Sequence, residues 1–399
     1  MNILLVSSKY MPEYSGSGFR AHNLYKRLVK KNTDINVNII CSSTEHNSCS
    51  EYEYDGFKVN RIAKKKFEEL SKGFFRKMQI AANFKSERQL TLKYLKSLPE
   101  KPDLIHVFGV SYVTATVLDY ARKKKIPAII ELCNEMDTPF QFVPFLNRLM
   151  VSTKFPASYL VICISEMLKS MALKNKIPEK YIWCRPNPVN EQLFYPVDKD
   201  KKMQIREELS PFSKDDKIIS YIAKFRPSKN HTFLVDVLNE LPSEYKLILG
   251  GPLVDKGPDV EEHQANFKDI EDKIESMGLT ERVKIFADFV PNIEDYYKLA
   301  DVYAFPTLHE ALGTPMLESI SCATPVVANN LPGVTDVWIQ DGKNGYLSSM
   351  DAKEFADNIK KACAIPRETM LQSSEELIGI AGTEAIDKQY LTRIENLVK

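Results

Sequence analysis

At 399 residues, 44% hydrophobic and 27% charged, with a formal net charge of +1, the sequence excludes a disordered chain and offers no global charge for holding nucleic acid, while leaving room for two domains with separate cores. Its seven cysteines, Cys41, Cys49, Cys133, Cys163, Cys184, Cys322 and Cys363, contain no C-x-x-C pair, so reduced cytosolic thiols are expected rather than a zinc site or disulfide framework. The apolar run at 3–6 is too short for a signal-peptide core and no stretch nears the roughly 18 apolar residues of a membrane span, so a soluble, at most membrane-attached protein is expected.

In chain order, NILLVS, INVNIIC, DLIHVF, IPAIIEL and YLVICIS are short runs rich in Ile and Val, most of them separated by stretches of helical spacing such as 21–31 and 111–124. That alternation predicts a parallel sheet covered by helices. YEYDGFKVNRI interrupts it, because strict alternation on both sides of Asp55-Gly56 predicts a hairpin with a two-residue turn. After the connector PNPVNEQLFYP the pattern restarts with KIISYIA, YKLILGG, RVKIFAD, DVYAFP and TPVVANN. The expected fold class is α/β, with two facing Rossmann-like domains and a cleft between them. The domains are placed at 1–190 and 191–378, with a C-terminal helix at 379–399 docking back on the first.

Ligands of open parallel sheets bind beyond the carboxyl ends of the strands, so function is sought in the post-strand loops. The first, GSGFRA, matches the G-x-G-x-x-A dinucleotide fingerprint at Gly16, Gly18 and Ala21, but seven residues separate Ser8 from Gly16 and no acidic residue is placed for a ribose. A flexible glycine loop bringing backbone N–H groups to a ligand is preferred over NAD binding, with a plain turn before a helix as the alternative. In HEALGTPMLESISCATPVV, strand DVYAFP leads into a loop with His309 and Glu310; Thr314-Pro315 are expected as N-cap and first helical position, with Glu318 in the first turn. Such a helix start suits phosphate, and a carboxylate on either side could accept hydrogen bonds from ribose and hexose hydroxyls, which together describe a nucleotide sugar. The plainer alternative, in which Glu318 complements the helix dipole and Glu310 is solvated, stays open. Lys224, Arg226 and Lys229, after KIISYIA, would supply cations to a departing diphosphate or form a solvated basic loop.

HEALGTPMLESISCATPVVANNLPGVTDVWIQDGKNGYL resembles the donor-site signature of family 4 retaining glycosyltransferases with the GT-B fold, including their E-x7-E pair at Glu310 and Glu318. YMPEYSGSGFRAH, PDLIHVFG, IPAIIELCN, CISEMLK, RPNPVNEQLFYP and YIAKFRPSKNH are similar to further segments of the family in the same order, so the resemblance spans nearly the whole chain. It implies a GT-B fold with the acceptor site in 1–190 and the donor site in 191–378. It implies transfer of a sugar from a nucleotide diphosphate sugar, with retention and without a metal or other cofactor. In that reading Glu318 holds ribose hydroxyls, Glu310 contacts the donor sugar, and Gly313 and Thr314 offer backbone amides. Gly16 and Gly18 also belong to the donor side, and Lys224 and Lys229 match the family's spaced cationic pair. The family usually has arginine at the first of these, so Arg226 is a second source of that phosphate contact. Where the family often has a histidine, this chain has Cys133 followed by Asn134, and these join His106 as acceptor-side candidates. The implied partners are a nucleotide sugar and a glycan, lipid-linked or other hydroxyl acceptor, in the cytoplasm or at the inner face of a membrane.

Breaking the anomeric bond develops negative charge on the leaving diphosphate, which lysines and a helix N-terminus would stabilise while the acceptor attacks from the same face. A double displacement would need a carboxylate on the opposite face, and none is identified. The alternatives are a nucleotide-sugar epimerase and a non-catalytic nucleotide-sugar binding protein. Base recognition is expected from loop shape around Phe289 and Val290. Between residues 61 and 101, 12 Lys or Arg stand against 4 Asp or Glu, and Phe74, Phe75, Met78 and Ile80 share the stretch. It fits a peripheral membrane contact or, as readily, a solvated helix with its phenylalanines in the core.

Overall fold

Most of the apolar runs become strands buried on both faces, the half-buried β11 at the edge of the second sheet excepted. The computed structural model describes residues 1–13, 15–42, 48–64, 73–132, 143–144, 147, 151, 155–253 and 260–399. The first half holds β1 Asn2–Ser7, α1 Gly16–Lys31, β2 Asn36–Ser42, β3 Ser50–Tyr54, β4 Phe57–Ile62, α2 Gly73–Ser97, β5 Leu104–Phe108, α3 Tyr112–Lys124, β6 Ala128–Leu132, β7 Tyr159–Cys163, α4 Glu166–Lys174 and β8 Ile182–Cys184. The second holds α5 Lys199–Leu209, β9 Lys217–Ile222, α6 His231–Asn239, β10 Tyr245–Gly250, α7 Val260–Ser276, β11 Val283–Phe286, α8 Ile293–Lys298, β12 Val302–Phe305, α9 Thr314–Ser321, β13 Val326–Asn329, β14 Gly345–Ser348, α10 Ala352–Cys363, α11 Arg367–Ala381 and α12 Thr383–Val398.

Two compact units result, one of Met1–Arg185 with Asp387–Lys399 and one of Pro186–Ile386. In the first, the strand order is β3-β4-β2-β1-β5-β6-β7-β8, parallel except for the β3–β4 pair. That pair is the expected hairpin: Asp55 (φ 49°) and Gly56 (φ 81°) both take the left-handed conformation that a tight two-residue turn demands. In the second unit the order is β11-β10-β9-β12-β13-β14, with parallel pairing throughout. Each sheet reverses its chain order once, between β1 and β5 and between β9 and β12, and such switch points open a crevice at the carboxyl ends of the strands.

A buried ionic cluster closes the first unit around its last helix. Glu131 of β6 accepts from Nη2 of Arg185 at 2.9 and 2.8 Å, and the Tyr390 hydroxyl bonds to both residues. Burial alone would raise the Glu131 carboxyl, but the Arg185 charge and the hydrogen bonds from His106 and Tyr390 outweigh it and hold the group down at about 2. Asp387, also buried, receives Arg27 in a fork of two 2.9 Å bonds and Lys31 at 3.2 Å. In the second unit Glu191 caps the start of α12, accepting from the backbone N–H groups of Thr383 (2.8 Å) and Glu384 (3.0 Å), as a carboxylate at a helix N-terminus should.

Three local expectations are corrected. α1 begins at Gly16, not near Ala21, because the Ser15 hydroxyl caps it by accepting from Gly18 N at 3.0 Å. β8 and β14 are strands that the sequence does not mark, because IWC and GYLS each carry a single aliphatic residue. Phe74 and Phe75 on α2 are not core residues: they are 66% and 72% exposed, and the buried face of the helix is Phe84, Glu87, Thr91 and Leu95. Among the described residues no helix is long and apolar enough to cross a membrane, and Cys41, Cys49, Cys163, Cys184, Cys322 and Cys363 are free thiols.

Candidate active site

The second unit's switch point sets β9 beside β12, with Ile219 opposite Val302 and Ser220 opposite Tyr303. Their outgoing loops are tied together: the Ser228 carbonyl accepts from Leu308 N (2.9 Å) and from the Thr307 hydroxyl (3.3 Å). Residues Pro227–Lys229 form one tight helical turn, and Tyr221, buried on β9, donates its hydroxyl to the Lys229 carbonyl at 2.9 Å. The backbone of Lys229 is thereby fixed, and its ammonium reaches Glu310 Oε2 at 2.6 Å. The other carboxylate oxygen of Glu310 accepts from Ala311 N at 3.1 Å. With side chains 24% and 21% exposed, the pair is neither buried nor free in solvent, so a ligand can reach it. Lys224 and Arg226 stand exposed on the same loop, and no hydrogen bond or ion pair to another described side chain holds them.

Gly313 opens α9 with φ 79°, and a Cβ there would meet the Phe305 ring at 3.2 Å, so this position requires glycine for conformation and fit. Gly313 is the N-cap and Thr314 the first helical residue, one position earlier than expected. Pro315 has no N–H and Met316 returns its own to the Gly313 carbonyl (2.9 Å), which leaves the amides of Gly313 and Thr314 for an outside acceptor. Asn187 Nδ2 donates to the Thr314 hydroxyl at 3.2 Å.

Glu318 is the fifth residue of α9, and the first turn carries no acidic residue. It therefore does not serve as the dipole complement that a first-turn position would make it. Its Oε2 accepts the Tyr297 hydroxyl at 3.0 Å. Burial pushes the carboxyl up to about 7, with Glu294 adding to the rise and the Tyr297 hydrogen bond opposing it. A carboxyl raised above its unfolded value contributes stability at low pH that is lost as pH climbs through the folded value. Glu318→Gln should therefore stabilise the ligand-free protein at pH 8 by about 2–3 kcal/mol and flatten the decline between pH 4.5 and 7, as read by urea unfolding across that range.

Residues 203–377 match the family described as glycosyl transferases, group 1. That match lies within the second unit and covers less than half of the chain. A D-inositol 3-phosphate glycosyltransferase of Mycobacteroides abscessus is 28% identical over 225 residues, which is 55% of this chain and 45% of that protein. The chain thus spans about half the length of the curated relatives it matches. A sucrose-phosphate synthase from Thermosynechococcus elongatus superposes with a TM-score of 0.75 at 20% identity, over 99% of this chain and 98% of that one. The Anabaena protein HepE, in complex with UDP, does so at 0.73 and 15% identity, over 99% and 100%. These likenesses establish the fold, and the α/β GT-B class read from the sequence stands.

Other residues named from the sequence fall elsewhere. Gly16 and Gly18 form the first turn of α1, not a flexible loop: the Gly18 amide is taken by Ser15, and a Cβ at Gly18 would lie 2.5 Å from the Lys9 carbonyl oxygen. Packing thus accounts for Gly18. His106 is fully buried, with Nδ1 on the Tyr25 hydroxyl (2.8 Å) and Nε2 on Glu131 (3.2 Å), and burial pulls its pKa down. It is a core histidine of the ionic cluster rather than an acceptor contact. Cys133 and Asn134 lie outside the described residues. Phe289 stands 77% exposed after β11, whereas Val290 packs against the buried cluster that includes Ile218, Ile248 and Tyr296. Sequence reasoning missed Tyr297 and Asn187, for which no local pattern exists.

Proposed function

We propose that the protein is a retaining glycosyltransferase that moves a sugar from a nucleotide diphosphate sugar to a hydroxyl of a glycan or lipid-linked acceptor, on the cytoplasmic side, without a metal. The observation that carries this is the Lys229–Glu310 pair at the β9–β12 switch point, beside a helix start with unclaimed amides. Lys229, with Lys224 and Arg226 on the same loop, would neutralise the departing diphosphate, and Gly313 and Thr314 would bind its oxygens. Both oxygens of Glu310 are engaged, one by Lys229 and one by Ala311 N, which suits a group that orients a sugar more than one that attacks it. The likeness to HepE, a protein solved with UDP, supports a nucleotide as part of the ligand.

The test is a thermal-shift panel of UDP-, GDP- and ADP-sugars, where a ligand at 100 times its dissociation constant adds about 2.7 kcal/mol. Turnover of the stabilising sugar is then measured with and without EDTA. Activity that survives EDTA and preserves the anomeric configuration is expected. Binding without turnover would make the protein a binder, an isomerised donor would make it an epimerase, and loss with EDTA restored by magnesium would overturn the metal-free reading.

We also propose that the first turns of α2 touch an anionic membrane. Phe74, Phe75 and Met78 are 66%, 72% and 50% exposed, and Arg76 and Lys77 beside them are exposed as well. Apolar side chains flanked by cations suit the headgroup boundary. The wild type should co-sediment with phosphatidylglycerol vesicles at low salt. Phe74→Ser with Phe75→Ser should weaken this more than about tenfold, since burying one phenylalanine contributes about 1.5–3 kcal/mol. A wild type that ignores such vesicles would overturn the contact and leave the transferase assignment intact.

A further inference from the structure

We infer that Tyr297 is a positioning residue of the donor site, its hydroxyl holding one oxygen of Glu318 so that the other is presented to a hydroxyl of the ligand. This rests on the reading of Glu318 as the group that binds the donor's ribose. Tyr297 is fully buried at the end of α8. Its ring stands edge-on to Tyr303 (5.0 Å, 71°) and 5.9 Å from Phe194. Its carbonyl accepts the Thr324 hydroxyl at 2.7 Å, and Thr324 N bonds in turn to Ser319 O of α9 at 3.1 Å. Tyr297 therefore grips α9 and the turn after it at two points, by hydroxyl and by carbonyl, and its ring has no room to swing. A buried tyrosine hydroxyl needs a partner, and Glu318 Oε2 is that partner at 3.0 Å.

Glu310 is neutralised by Lys229, whereas Glu318 forms no ion pair with a described residue. Above its raised pKa of about 7 its carboxylate therefore carries an unneutralised charge, the stronger acceptor for a vicinal diol. The titratable groups around it are Tyr297 and Glu294 of α8, Tyr303 of β12 and Cys322 at the end of α9. Because the Tyr297 hydrogen bond lowers the Glu318 pKa, removing it raises the pH below which the carboxyl is protonated and grips a diol less well.

The experiment is calorimetric titration of UDP, GDP and ADP separately into the wild type, Tyr297→Phe, Glu318→Gln and the double variant, from pH 5.5 to 8.5, with donor kinetics alongside. Tyr297→Phe should weaken the nucleotide that binds by about 3- to 10-fold. It should raise the donor KM more than it lowers kcat, and should move the acidic fall in affinity to higher pH. In the Glu318→Gln background the same substitution should change neither affinity nor pH profile. An unmoved pH profile in folded Tyr297→Phe, whether affinity holds or kcat and stability fall together, would reduce Tyr297 to a packing residue and overturn the inference. If the wild type binds none of the three nucleotides, the donor reading fails first and the inference falls with it.

Discussion

Lys229→Ala is expected to lower kcat by about 100- to 1,000-fold, the loss typical of removing one preorganised donor to a charge that develops in the transition state. The lysine is well placed for that task because its backbone is held by Tyr221 and by the knitted β9 and β12 loops. Without ligand its charge is shared with Glu310 at 2.6 Å, and an arriving diphosphate competes for it. Two different outcomes follow for the partners. Lys229→Ala leaves Glu310 as an unscreened anion beside the phosphates, so affinity for free nucleotide should fall along with turnover. Glu310→Gln releases Lys229 to the phosphates, so nucleotide affinity should hold or tighten while kcat falls, because only the transferred sugar loses its contact. Titration of nucleotide and nucleotide sugar into each variant, with donor kinetics, separates the cases. Parallel losses of nucleotide affinity in both variants would show that the pair acts as a structural ion bridge.

Arg185→Met is expected to destabilise the first unit by about 3–5 kcal/mol, because it strands a buried carboxylate. Glu131 has no route to water, being 3% exposed, and the remaining partners His106 and Tyr390 are neutral hydrogen-bond donors. The pH dependence should invert. In the wild type the Glu131 pKa is depressed to about 2, so its stabilising contribution is present above the ordinary carboxylate range and is lost as pH falls from 4.5 towards 2. In Arg185→Met burial governs, the carboxyl is raised, and stability should increase on acidification as Glu131 takes up a proton. Glu131→Gln in the same background should recover much of the loss. Trp183 lies 5.0 Å from Tyr390, ring to ring, so its fluorescence in a Trp338→Phe protein reports unfolding of this unit alone. A change below about 1 kcal/mol would show that the cluster is solvated.

Much of the fold was legible because the signals that encode it are local. The Ile- and Val-rich runs marked every strand of five or six residues in the second sheet and the core strands of the first, and Asp55-Gly56 marked the hairpin by the backbone it requires. β8 and β14 escaped because IWC and GYLS each carry a single aliphatic residue and so form no Ile- or Val-rich run. The start of α1 escaped because two glycines read as a loop until Ser15 is seen capping them. The sequence puts Glu318 in the first turn of α9, since a shift of one residue in the N-cap, from Thr314 to Gly313, is invisible without the φ of 79° at Gly313.

By itself the sequence determined the alternation of strands and helices, the glycine that turns into α9, and which carboxylates and cations follow which strand. Tertiary structure decided which of those residues meet. Lys229 and Glu310 are 81 positions apart and come together because β12 joins the sheet beside β9 rather than beside β11. His106 left the candidate site for the opposite reason, since β5 joins beside β1 and β6 and seals its ring against Tyr25 and Glu131. Strand order depends on which faces of distant elements pack with least exposed apolar surface, and no window of sequence contains both partners of that choice.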